Sequence, residues 1–168
     1  TDGEAEAMVA AYHFYGPGIV SKFRGMFAFL IWDSHRQVLF GARDPFGIKP
    51  LFYTQGPNGI AFASEKKSLL QLSRTIGTAP RLDRTALQHY LVMQYVPEPE
   101  TMHDTVRRIE SGTSFTVTPD GRLTTERYFH PIFRPLSVSQ YESGRLHSDI
   151  AAVMRDSVAK HMRADVTV

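Results

Sequence analysis

The residues in this chain best suited to chemistry are Arg43 and Asp44, followed by Pro45, Gly47 and Pro50. A guanidinium and a carboxylate at the end of a strand, just ahead of a turn fixed by proline and glycine, allow two arrangements. Either they clamp the turn by hydrogen bonding to nearby backbone, or they contact a substrate directly. Asp2 stands apart, with Gly3 and the acidic residues Glu4 and Glu6 behind it. A carboxylate there can cap a helix N-terminus, and acidic residues in the first turn suit the helix dipole. Other chemistry is thin. The 168 residues contain no cysteine, and the seven histidines show no metal-ligand spacing. His161 sits where a cation would favour a helix end. Lys66 and Lys67 read as a solvated face.

The elements that must hold Arg43 and Asp44 are short apolar runs. Met26–Trp32 and Val38–Ala42 are separated by the polar tetrapeptide Asp33–Arg36, which predicts an antiparallel hairpin. Leu51–Tyr53 and Ile60–Ala63 flank the turn residues 56–59 and make two further strands. Neither of the first two runs alternates cleanly, so both faces of these strands are expected to be covered. The four together predict an antiparallel meander. Ahead of it, Met8, Val9, Tyr12 and Tyr15 follow helical spacing until Gly16-Pro17-Gly18 stops the helix.

Downstream, Ser64 is placed to cap a helix running to about Leu72, and residues 73–80 read as a polar connection. A second helix is capped at Asp83 or Thr85, with Leu87, Tyr90, Leu91 and Gln94 on one side. Pro97 and Pro99 impose an extended segment. Residues 113–118 and 122–129 form the arms of a hairpin around Pro119-Asp120-Gly121, with Tyr128 and Phe129 packed in the core. Residues 130–139 read as a loop. From about Gln140 to Arg163 a helix is expected, with Leu146, Ile150, Val153, Met154 and Val158 in its apolar stripe. Residues 164–168 begin a strand.

The length allows one respectable core, and the fold class is α+β. A net charge of +2 without like-charge blocks gives no case for nucleic acid or membrane binding. No signal-peptide pattern opens the chain, and a cytoplasmic location is the default.

Three blocks carry a family resemblance: Gly25-Met26-Phe27-Ala28-Phe29, then Arg43-Asp44-Pro45-Phe46-Gly47-Ile48-Lys49-Pro50-Leu51, then Ala63-Ser64-Glu65-Lys66-Lys67. Together they resemble the second half of a class II glutamine amidotransferase domain, within which the glutamine-hydrolysing asparagine synthetases are most similar. The segment Tyr95–Met102 resembles the connector of those synthetases. The resemblance implies the C-terminal half of an N-terminal-nucleophile α-β-β-α sandwich, then a connector hairpin, then the first helix and strand of an α/β ATP-pyrophosphatase-type domain. The corresponding segments are 1–73, 74–135 and 136–168. Ile109-Glu110-Ser111-Gly112 departs from the Leu-Pro-Pro-Gly found in many relatives and keeps only the glycine.

The resemblance also implies the chemistry. Such enzymes attack the glutamine amide with an N-terminal cysteine thiolate, whose own α-amino group can act as base. This chain has no cysteine. Thr1 is a conceivable substitute, but Thr1-Asp2-Gly3-Glu4 matches an internal family segment, so Thr1 is not expected to be catalytic. The implied role of Asp2 is to pair with the α-ammonium of glutamine. Arg43, Asp44, Gly47 and Pro50 belong to the structural motif. The expectation is an internal fragment, inactive alone, of an enzyme that uses glutamine, aspartate, ATP and magnesium and forms a homodimer. Two alternatives stay open: a related amidotransferase or β-lactam-forming synthetase with another acceptor, and a non-catalytic binding module.

Overall fold

The computed structural model describes residues 3–142 and 144–162. The described residues fall into two compact units, divided after residue 130.

The first unit opens with α1 (Glu4–Tyr15) and a 3-10 helix (Gly16–Lys22). Strands β1 (Ala28–Asp33) and β2 (Val38–Arg43) pair as an antiparallel hairpin. Strands β3 (Phe52–Gly56) and β4 (Gly59–Ala63) form a second one. After α2 (Lys66–Ile76) and α3 (Arg84–Met93) come β5 (Val106–Arg108), β6 (Thr113–Val117) and β7 (Leu123–Arg127).

The hairpins do not join into the expected meander. One antiparallel sheet has the order β1-β2-β6-β7, and the other has the order β4-β3-β5. The turn after Arg43 is not a hairpin connection. It carries the chain out of the first sheet and into the second. Strand β2 pairs with β6 instead, setting Phe40 opposite Thr116 and Gly41 opposite Phe115. The hairpin placed by sequence in a connector is thereby hydrogen-bonded into the first sheet.

Alternation along the strands sorts the side chains into two cores. Phe29, Ile31, Phe40 and Ala42 point to one side of the first sheet and pack with Tyr12, Ile19 and Val20 of the helical layer. Ala28, Leu39, Phe115 and Val117 point to the other side and meet Tyr53, Ile60 and Phe62 of the second sheet. Phe62 and Phe115 stack across that interface at 4.9 Å. Gly41 makes the stack possible, because a Cβ there would stand 2.4 Å from the Phe115 ring. Helix α2 covers the opposite face of β3 and β4. The order of layers is therefore helix, sheet, sheet, helix.

Helix α2 is longer than its sequence suggests. Leu69, Ser73 and Ile76 form its buried face, and Ser73 turns its hydroxyl onto the Leu70 carbonyl. The helix ends at Gly77, in a left-handed conformation that glycine adopts without strain. Glu65, not Ser64, is the N-cap, and no side chain caps it. Asp83 caps α3, its Oδ1 accepting from the backbone N–H groups of Thr85 and Ala86 at 2.8 and 3.0 Å. The buried position of α3 is Ala86, while Tyr90 and Leu91 are exposed.

The second unit holds α4 (Val138–Glu142) and α5 (Leu146–His161), in place of one continuous helix. Gly144, at φ +68°, lies in the break between them. Ile150, Val153, Met154 and Val158 are exposed on α5. The strand expected at 164–168 lies outside the described residues.

Candidate functional site

The site grows from the end of β2. Arg43 is paired opposite Ala28 and is buried, so its guanidinium has to find partners within the protein. Its Nε donates to the Lys49 carbonyl at 2.8 Å and its Nη2 to the Gly47 carbonyl at 2.7 Å. Its Nη1 donates to the Ile109 carbonyl at 2.7 Å and to the carboxylate of Glu98.

Asp44 is fully buried. Its Oδ1 accepts from the N–H groups of Phe46 and Ile48 at 3.1 and 3.0 Å, and its Oδ2 from that of Lys49 at 2.9 Å. Three backbone dipoles thus face one carboxylate, an arrangement that holds a charge in a site closed to water. The main chain of Asp44 is equally committed. Its N–H donates to the Phe27 carbonyl, and its carbonyl accepts from Gly47 and Gly112.

Gly47 closes the loop at φ +63°. A Cβ there would stand 2.5 Å from the Ser111 hydroxyl and 2.9 Å from the Arg43 guanidinium carbon. Glycine is required on both counts. Pro50 follows Lys49, has no N–H to satisfy, and leads into buried Leu51, whose carbonyl accepts from the Ile109 N–H. The four motif residues picked from sequence are thus assembled in one place, with Arg43 and Asp44 bonded chiefly to the backbone of their own turn.

Three further residues complete the cluster, and sequence reasoning missed them. Glu98 receives Arg43 on one carboxylate oxygen, and the Ser111 N–H and hydroxyl on the other, both at 2.8 Å. Burial pushes Glu98 up, but the Ser111 bonds and the Arg43 charge outweigh it and hold the carboxyl below its ordinary value. The hydroxyl of Tyr128 donates to the Arg43 carbonyl at 2.6 Å. Burial, with the Asp44 charge behind it, pushes that phenol far up, so it remains a donor. Tyr128 does pack against the core, as expected of the Tyr128–Phe129 pair, and Phe129 meets Phe46 edge-on at 5.5 Å. Its hydroxyl bond is the added finding. Glu98 stands between Pro97 and Pro99 with Glu100 close behind, and nothing local marks which of the two carboxylates is buried against Arg43.

A second, smaller polar cluster lies at the far end of the same hairpin. The hydroxyl of Tyr12 donates to Asp33 Oδ2 at 3.1 Å. Asp33 Oδ1 accepts from the N–H groups of His35 and Arg36 at 3.0 and 2.9 Å, closing the β1–β2 turn. Thr1 and Asp2 lie outside the described residues. Among the described residues no group of three or more His, Cys, Asp or Glu could hold a metal ion. No helix among them is long and apolar enough to cross a membrane.

Two antiparallel sheets packed face to face between helices, with a polar cluster where the chain changes sheets, make a layered α+β fold. A solved structure shares it: glutamine phosphoribosylpyrophosphate amidotransferase from Bacillus subtilis, complexed with ADP and GMP, aligns with a TM-score of 0.50 and 19% identity over 84% of this chain and 26% of its own. The family model described as glutamine amidotransferase domain matches residues 1–129, and the chain belongs to that family. The match includes residues 74–129, which sequence reading placed in a connector.

Similar curated proteins include asparagine synthetase (glutamine-hydrolysing) 1 of Bacillus subtilis, 45% identical over 168 residues, all of this chain and 26% of the relative. A protein of Mycobacterium tuberculosis provisionally named asparagine synthetase (glutamine-hydrolysing) is 51% identical over 169 aligned residues, with the same coverage. Amidase chry2 of Gibberella zeae is 45% identical over 69 residues, 41% of this chain. The chain spans about a quarter of the length of the synthetases it matches.

Proposed function

We propose that this chain is a segment of a glutamine-hydrolysing asparagine synthetase, in which ammonia released from glutamine converts aspartate to asparagine. The observation that supports the reading is the extent of the likeness. The Bacillus subtilis synthetase aligns with the full chain, including the residues after 129 that the amidotransferase match leaves out, whereas amidase chry2 aligns with 41% of it.

Within this reading Asp2 pairs with the α-ammonium of glutamine, a role a carboxylate can combine with bonding to a helix N-terminus. The cluster around Arg43 and Asp44 holds the strand crossover in place and has a structural role. A cysteine nucleophile is not among the 168 residues and is assigned to the rest of the parent protein. The Ser-Gly-Gly-x-Asp-Ser loop that the resemblance implies for binding ATP pyrophosphate is not among the 168 residues, and the described residues hold no metal cluster. They do not fit an ATP–magnesium site. Mg-ATP and aspartate are assigned to the remainder, with residues 136–168 opening that domain. A cytoplasmic homodimer belongs to the same proposal.

The test is isotopic. The intact protein is supplied with amide-labelled ¹⁵N-glutamine, aspartate and Mg-ATP, and the asparagine is analysed by mass. Label in the asparagine amide is expected. Label released only as ammonium, or passed to another acceptor, would overturn the assignment.

A further inference from the structure

Strand β1 is an outer strand of its sheet and is bonded along one side, to β2. The register decides which of its backbone groups are left over. The Asp44 N–H donates to the Phe27 carbonyl, so Phe27 and Asp44 are a hydrogen-bonded pair. Such pairs recur at every second residue of an antiparallel ladder. Phe29, Ile31 and Asp33 therefore turn their N–H and C=O groups to β2. Ala28, Leu30 and Trp32 turn theirs to the open side, where no strand lies among the described residues.

Two apolar side chains are left over in the same place. Leu30 and Trp32 stand on the inter-sheet side with Ala28, opposite Gly41 and Leu39, yet they are 42% and 57% exposed. A Cβ on Gly41 would meet Leu30 Cδ2 at 2.9 Å and the Phe115 ring at 2.4 Å, so Leu30 borders the Phe62–Phe115 stack. The inter-sheet core thus runs out to β1 and ends there without a cover. The other three outer strands differ. Strand β7 carries Glu126 and Arg127, and β5 carries Arg107 and Arg108, charges that discourage a further strand. Strand β4 exposes no apolar side chain. Strand β1 has an unbroken ladder, no proline and no lysine, and its one charge is Asp33 at the end.

We propose that the outer edge of β1 receives a β-strand from the part of the same polypeptide that lies outside these residues. The added strand takes up the free N–H and C=O groups of Ala28, Leu30 and Trp32, and its apolar side chains cover Leu30 and Trp32. A row of main-chain donors and acceptors beside apolar side chains is satisfied by another extended main chain. Length favours the same polypeptide as the source, because the aligned residues are 26% of the Bacillus subtilis synthetase. The inference rests on the reading of this chain as a segment of such a protein.

The test uses the full-length enzyme. Backbone hydrogen exchange is read at Leu30 and Trp32 against the rate of an unstructured peptide. Exchange slower by about 100-fold or more is expected, and any smaller protection would overturn the proposal. The occupant is identified by Trp32→p-benzoylphenylalanine and irradiation, with the cross-linked peptides mapped by mass. A cross-link within one polypeptide, to residues beyond the 168, is expected. A cross-link to a second copy or to another protein, or none to the rest of the polypeptide, would overturn the proposal. Exchange needs no substitution, so it carries the test if the variant does not fold. Labelled glutamine separates the two readings. If the isotope passes to another acceptor while Leu30 and Trp32 are protected by their own polypeptide, the synthetase assignment fails and the pairing stands. If asparagine is labelled and the two amides exchange freely, the pairing alone fails.

Discussion

The two ends of the β1–β2 hairpin carry similar side chains and are built differently. At one end Arg43 and Asp44 are buried, and their partners are backbone groups and Glu98. At the other, Asp33 and Tyr12 meet side chain to side chain, nearer to water, with the Asp33 carboxyl lowered chiefly by the Arg36 N–H. Where charges are buried and their partners are main chain, removing one strands several others, and the cluster governs folding. Where a side-chain bond joins a helix and a hairpin that also share an aromatic stack, removing it leaves that packing in place. Residue type does not separate the two cases; burial and the identity of the partner do.

The largest effect should come from Arg43→Met. It strands the Glu98 carboxylate and the carbonyls of Gly47, Lys49 and Ile109. A loss of about 3–5 kcal/mol is expected, read from chemical unfolding. Gly47→Ala comes next, at about 1–3 kcal/mol, because the left-handed backbone and the Ser111 hydroxyl both oppose a Cβ.

Glu98→Gln should cost about 1–2 kcal/mol, the difference between charged and neutral partners for Arg43 and Ser111. Its effect depends on pH. The folded carboxyl is depressed below its ordinary 4.5, so its contribution is present above that value and is lost as pH falls through the folded value. The gap in unfolding midpoint between the parent and Glu98→Gln should therefore be widest near neutrality and close in acid. The smallest change is Thr54→Val. The hydroxyl of Thr54 is buried without a partner, so an isosteric methyl should be neutral or stabilising by up to about 1 kcal/mol in thermal unfolding.

Much of this was legible from the chain. Turn chemistry and apolar runs located all three hairpins, and Asp83 was one of two candidates, with Thr85, for the cap of α3. The four residues of the crossover motif were identifiable by type. Strand pairing was not. A local pattern shows that four strands follow one another, but it does not show that the chain changes sheets between the second and third. That depends on β2 finding β6, which is distant in sequence. The same non-locality hid Glu98, Ser111 and Tyr128, whose partners lie in the crossover turn. The end of α2 was misread for a local reason: Ser73 and Thr75 look like loop residues until Ile76 is seen to be buried and Gly77 to terminate the helix.

The most direct test of the contrast is to measure two quantities on one variant of the intact enzyme. For Glu98→Gln, the unfolding midpoint of the amidotransferase domain and the glutamine KM are determined side by side. The midpoint is expected to fall by several degrees while glutamine KM stays as in the parent. An unchanged midpoint with a raised glutamine KM would contradict it, because the buried cluster would then be acting on the substrate and not on the fold.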